Sequence, residues 1–204
     1  MSAEEIAAHN KRAAELDKLF KDANEALSTG NYDEALTKLQ GIAAQVENCA
    51  PCYSRMGDVY QKKSDLEGAE KSYLKAIEIN PKEVDAYKAL ATVYNSQRKF
   101  EEAMKMSTMA NELIGATGGG GDANTTFNQG IIFWNAGKIP EAKEQFEKAV
   151  QLDPKLADAH YWLGMANVNQ GKMAEAKGPF TEYLKLAPTG QYVDTAKAIL
   201  ATIK

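Results

Sequence analysis

This sequence predicts an all-α array of tandem helix-turn-helix units, and three recurrences carry the prediction. Small residues return at Ala23, Gly57, Ala91, Gly130 and Gly164, with a second small series at Ala35, Ala69, Ala103, Ala142 and Ala176. Rings return with them, at Tyr60, Tyr73, Tyr94, Phe133, Phe146 and Phe180, spaced as one buried helical stripe. Punctuation recurs too. Gly30, Gly137 and Gly171 stand where a helix end needs a left-handed residue, and Pro81, Pro154 and Pro188 stand where a second helix must stop. The units open at Leu16, Ala50, Val84, Ala123 and Ala157, at intervals of 34, 34, 39 and 34 residues. A single pair would leave an apolar face in water, so stacked neighbours must supply the core.

Taken in order, the first element is a helix from Ala3 to Leu27, longer than one repeat needs, whose extra turns shield the first unit. It and the first three units occupy residues 1–114. The stretch GATGGGGD, residues 115–122, follows; four consecutive glycines cannot hold a helix, so a joint is expected there, either a pivot or an ordered long turn. It lacks the Lys-Ser/Thr and the adjoining strand that a phosphate-cradling loop requires. Asp122 is placed to cap the next helix. Units four and five fill residues 123–188, and Gly178-Pro179 predicts a kink or early break in the final second helix, near the carbonyl of Glu175. Residues 189–204 put Tyr192, Ala196, Ile199 and Ile203 on one helical face, as a capping helix. With both ends covered, a monomer is expected.

Composition narrows the function. The 204 residues carry 24 Lys and Arg against 28 Asp and Glu, a formal charge of −4, which argues against nucleic acid as a partner. No apolar run reaches the length of a membrane span. The N-terminal stretch lacks a basic start followed by an apolar segment, so the expectation is a cytoplasmic chain or a piece of a longer exported one. Two His and two Cys are too few for most all-protein metal sites. Neither an enzyme nor a bound cofactor is expected. Cys49-Ala-Pro-Cys52 leads into a helix N-terminus, which favours thiolate character. It reads as a local disulfide in an exported chain, as two free thiols in a cytoplasmic one, or as a thiol redox pair. Zinc would need two further ligands, and His9 and His160 fall in distant units.

The copies YSRMGDVYQKKSDLEGAEKSYLKAIEINP and HYWLGMANVNQGKMAEAKGPFTEYLKLAP carry a pattern that resembles the tetratricopeptide repeat family, across residues 16–188. The resemblance implies a right-handed α-solenoid whose first helices line a concave groove that holds a partner's peptide or helix. Carried over position by position, the groove residues include Lys88 and Asn95 in the third unit, Asn124, Phe127, Asn128, Ile131, Trp134 and Asn135 in the fourth, and Tyr161, Met165, Val168 and Asn169 in the fifth. Asparagine both donates to and accepts from a peptide backbone, while rings and Met supply adaptable contact area. The groove thus grades from polar in the early units to apolar in the last two. The competing reading packs Phe127, Trp134 and Trp162 between units. A subclass of the family clamps chaperone carboxylates, and Lys88 and Asn128 match it. Thr92, Asp158 and Trp162 depart from it, and an Asp would repel the ligand. An architectural role in spacing or self-assembly, as a segment of a larger exported protein, is the remaining alternative.

Overall fold

A computed structural model describes residues 1–116 and 121–203. Among these residues there are eleven helices and no strand: α1 (Ala3–Ser28), α2 (Tyr32–Ala43), α3 (Ala50–Lys62), α4 (Leu66–Ile79), α5 (Val84–Ser96), α6 (Phe100–Ala116), α7 (Ala123–Asn135), α8 (Ile139–Leu152), α9 (Ala157–Asn169), α10 (Met173–Leu186) and α11 (Val193–Thr202). No helix among them is long and apolar enough to cross a membrane. The chain divides into two compact units, Met1–Gln97 and Arg98–Lys204. The first holds α1–α5 and the second α6–α11. The expected joint at 115–122 therefore falls within the second unit, with residues 117–120 outside the described residues.

Each boundary has a local cause. Ser2 closes a capping box on α1: its hydroxyl accepts from the Glu5 N–H at 3.2 Å, and its own N–H donates to the Glu5 carboxylate at 2.6 Å. Asp122 caps α7 as its sequence position predicts, accepting from the backbone N–H groups of Asn124 and Thr125. The helices before Pro81, Pro154 and Pro188 end at Ile79, Leu152 and Leu186.

Between the helices of every pair sits one residue of left-handed conformation. Gly30, Gly137 and Gly171 have φ of 82°, 74° and 74°, and the equivalent positions Ser64 and Arg98 each have φ of 60°. The same closing bond follows at four of these turns: Asn31 N–H to Ala26 O, Asp65 N–H to Tyr60 O, Lys138 N–H to Phe133 O, and Lys172 N–H to Asn167 O. The turn is thus set by the closing bond rather than by glycine, and Ser64 and Arg98 adopt a backbone that costs a side-chain-bearing residue about 1 kcal/mol. Ser64→Gly is expected to raise unfolding stability by about 0.5–1 kcal/mol, read as a higher urea midpoint at unchanged slope. A lower midpoint would show that the serine is not strained.

Within each pair, small residues admit large ones. A Cβ built on Gly57 would lie 2.5 Å from the Tyr73 ring, one on Gly130 2.5 Å from Phe146, and one on Gly164 2.8 Å from Phe180. Tyr73, Phe146 and Phe180 are all fully buried. Where the first position carries alanine instead, as at Ala23 and Ala91, the residue sixteen places on is not aromatic: Leu39 and Ser107. At Ala23 and Leu39 the added methyl is offset by the smaller partner, so that pair keeps about the volume of a glycine with a ring. Tyr73 also donates its hydroxyl to Asp58 at 2.8 Å, with the Gln61 side-chain amide 3.1 Å from the same oxygen. Burial first, then the Asp58 carboxylate, raises its pKa well above the usual phenol range.

The predicted break at Gly178-Pro179 is absent: α10 runs unbroken through Pro179. The cost of that proline is met elsewhere. Pro179 has no N–H for the Glu175 carbonyl four residues back, and Asn167 Nδ2 donates to that carbonyl instead, at 3.3 Å. Units two to four carry Tyr60, Tyr94 and Phe133 at the position of Asn167. The two departures from the repeat therefore compensate one another.

Candidate functional site

Ten of the twelve expected groove residues lie on α7 and α9, in the second unit; Lys88 and Asn95 lie on α5, in the first. The two helices meet edge to face through Trp134 and Trp162, whose ring centroids are 5.2 Å apart. Phe146 of α8 stands behind both, 5.8 Å from Phe127 and 6.3 Å from Trp162. Phe127, Ile131 and Trp134 pack against Phe146 and Ala142 on one side and keep part of their surface exposed on the other. Met165 and Val168 of α9 are likewise half-buried, beside Phe180 and Tyr183. Asn124, Asn128, Asn135 and Asn169 are exposed along the same two helices. The arrangement is a strip of half-open apolar side chains edged by carboxamides on fixed helical supports. A strip of this kind suits an extended or helical peptide that brings apolar side chains and a backbone needing polar partners.

Tyr161 does not belong to the strip. It is 5% exposed, and Tyr192 stacks on it with centroids 4.1 Å apart and rings 9° from parallel. Tyr183 and Phe180 complete its enclosure. Burial, with smaller contributions from Tyr192 and Tyr183, raises its pKa above the usual phenol value. Tyr192 comes from beyond the last repeat, so the repeat pattern gave no sign that it would close over Tyr161. Trp162 is also held by packing, between Trp134, Phe146, Tyr161 and Tyr192. The competing reading therefore holds for Trp162, while Phe127 and Trp134 both pack and remain partly open.

A second feature of this unit escaped the sequence. An open cleft of about 620 Å³ lies between α6, α7 and α8, lined by Thr108, Asn111, Gln129, Gln145, Lys148 and Gln151 among others. Asn111 donates to Gln129 at 2.9 Å across it. In the first unit, Cys49 and Cys52 are joined by a disulfide. Cys49 is the N-cap of α3, and its sulfur accepts from the Cys52 N–H at 3.3 Å.

Comparison with known proteins gives matches to models of the tetratricopeptide repeat over residues 50–83, 72–105 and 127–190. Superkiller protein 3 of Schizosaccharomyces pombe is 26% identical over 162 residues, covering 77% of this chain and 11% of that protein. Tetratricopeptide repeat protein 6 of Homo sapiens is 25% identical over 183 residues, covering 84% of this chain and 33% of that protein. The chain thus spans a third or less of these relatives' length. Among solved structures, YrrB, described as a TPR protein with an unusual peptide-binding site, superposes with a TM-score of 0.72 at 23% identity, covering 92% of this chain and 97% of that one. At that identity the likeness is one of fold.

Proposed function

Because the chain belongs to the tetratricopeptide repeat family, we propose that it is a non-enzymatic interaction scaffold that holds a partner's peptide or helix in its concave groove, chiefly on α7 and α9. One observation carries the reading: Phe127, Ile131, Trp134, Met165 and Val168 remain partly open in a row on two adjacent helices, with exposed asparagines beside them. The rigid supports behind the row lower the entropic cost of binding, because the site is ordered before the ligand arrives. A peptide-binding site reported for a protein of the same fold is consistent with this use of the scaffold.

The test is a random-peptide display library panned on the full chain, followed by calorimetry on the enriched peptides. Trp134→Ala is expected to weaken those peptides at least tenfold, about 1.4 kcal/mol, with the helical circular dichroism unchanged. Asn128→Ala, which removes only an exposed carboxamide, is expected to weaken them about threefold and guards against a folding artefact. Full affinity in both variants, with loss in Gln129→Ala, would move the site to the amide-lined cleft between α6 and α8.

A further inference from the structure

The Cys49–Cys52 bridge stands apart from the proposed groove, in the first unit, and packing explains only half of it. Cys52 is buried, as are Ala86, Thr125 and Ala159 at the same position of later units, so a small buried residue there belongs to the repeat. Cys49 has no such role. Its position holds Glu83, Asp122 and Leu156 in the other units, so the helix start tolerates very different caps. The bridge spans a sequence separation of only 3, where loop-closure stabilisation is near the bottom of its range.

The surroundings of the two sulfurs differ. Cys49 is half-buried and lies at the rim of an open trough of about 380 Å³ formed by α1, the end of α2 and the start of α3. Leu16, Phe20, Ile42, Val46 and Pro51 line it. The charged groups beside it are Asp17, also in the lining, and Arg12, whose guanidinium bonds the Gln45 carbonyl at 3.2 Å. An incoming thiolate can reach Cys49 Sγ from the trough but not Cys52 Sγ, which is sealed in the core. Once the bridge opens, the Cys52 N–H remains aimed at Cys49 Sγ, and a helix N-terminus favours a thiolate there.

We propose that this bridge is a thiol–disulfide exchange site, and that the trough docks a cysteine-bearing apolar segment of a partner protein. A partner thiolate attacks Cys49 Sγ, forming the mixed disulfide. The Cys49–Cys52 bond breaks, and its electron pair passes to Cys52 Sγ, which leaves as a thiolate and takes up a solvent proton when the start of α3 opens. A second partner thiolate then attacks the partner's sulfur in the mixed disulfide and releases Cys49. Overall, two partner thiols are oxidised to one disulfide and the protein's disulfide is reduced to two thiols. Cys52 departs from a fully buried position, so the exchange is stoichiometric and slow rather than a rapid turnover.

The experiment uses the full chain, oxidised, with two synthetic single-cysteine peptides as reductants at equal concentration, one with leucines flanking the cysteine and one with serines. Bridge opening is followed by alkylation and mass spectrometry, with helical circular dichroism recorded in parallel. The leucine peptide is expected to open the bridge at least tenfold faster, to be trapped on Cys49, and to leave the helical signal intact. Leu16→Ser, at a half-exposed position of the lining, is expected to reduce the preference for the leucine peptide below threefold. Equal rates for the two peptides, trapping on Cys52, opening only with loss of helix, or failure of the chain to form the bridge under oxidising conditions would each overturn the proposal. None of these readouts depends on the α7/α9 groove.

Discussion

Phe146→Ala is expected to lower unfolding stability by about 3–5 kcal/mol, the range for deleting a fully buried ring. The thermal midpoint should fall by roughly 10–15 °C in a chain of this size. The ring lies against the bare backbone of Gly130 on α7 and touches Phe127 and Trp162, so its removal opens a cavity that three helices share. The complementary change is informative. Gly130→Ala adds a methyl group 2.5 Å from the ring and is expected to cost about 1–2 kcal/mol, after the gain in helix propensity is counted. Adding Phe146→Leu to Gly130→Ala reproduces the alanine-with-leucine pairing already present at Ala23 and Leu39. The double variant should be more stable than the sum of the single losses predicts. Strict additivity would mean that ring and glycine are not matched to each other. Because Phe146 supports Phe127 and Trp162 from behind, the same substitution is expected to weaken any peptide selected on α7 and α9.

The reason this fold was legible lies in that matching. A small residue returns once per unit in all five copies, and in three of them a ring stands sixteen places on, which makes the pattern readable. The α1 start at Ala3, the Asp122 cap and the helix ends ahead of Pro81, Pro154 and Pro188 were legible for similar reasons, since each depends on residues within a few positions. Features that depend on what the neighbouring chain does were not. Ser64 takes a left-handed backbone because the closing bond of its turn imposes it, and neither its side chain nor that of Arg98, also left-handed, advertises it. The Asn/aromatic row on α7 follows from the resemblance, which implies which positions of each unit line the groove. Tyr161 sits on a face of the same kind on α9, yet it is closed over by Tyr192, a residue outside the repeat. Periodicity identifies which face a residue occupies; whether that face stays open is decided by the segment that follows.

Pro179→Ala is expected to stabilise the chain by about 1–3 kcal/mol, part of the cost of a proline in a helix interior. It restores an N–H to the helix ladder at a place where α10 is already continuous, so no rearrangement is needed to collect the gain. The value of the argument lies in its coupling to Asn167. In the native chain this residue is 3% exposed, its Nδ2 serves the Glu175 carbonyl, and its Oδ1 is buried without a partner. Asn167→Ala is expected to cost about 1–2 kcal/mol, because it takes the donor from that part-buried carbonyl. With alanine at 179 the backbone serves the carbonyl, and the amide becomes a buried polar group whose work is done. Asn167→Ala in that background is expected to be neutral or slightly stabilising, giving a coupling of at least about 1 kcal/mol in the double-mutant cycle. Chemical denaturation of the four proteins measures it. Equal costs for Asn167→Ala in both backgrounds would show that the asparagine packs rather than bonds, and that α10 tolerates its proline for some other reason. A clear coupling would mean that a proline breaks a helix only where the rest of the fold offers the abandoned carbonyl no other donor.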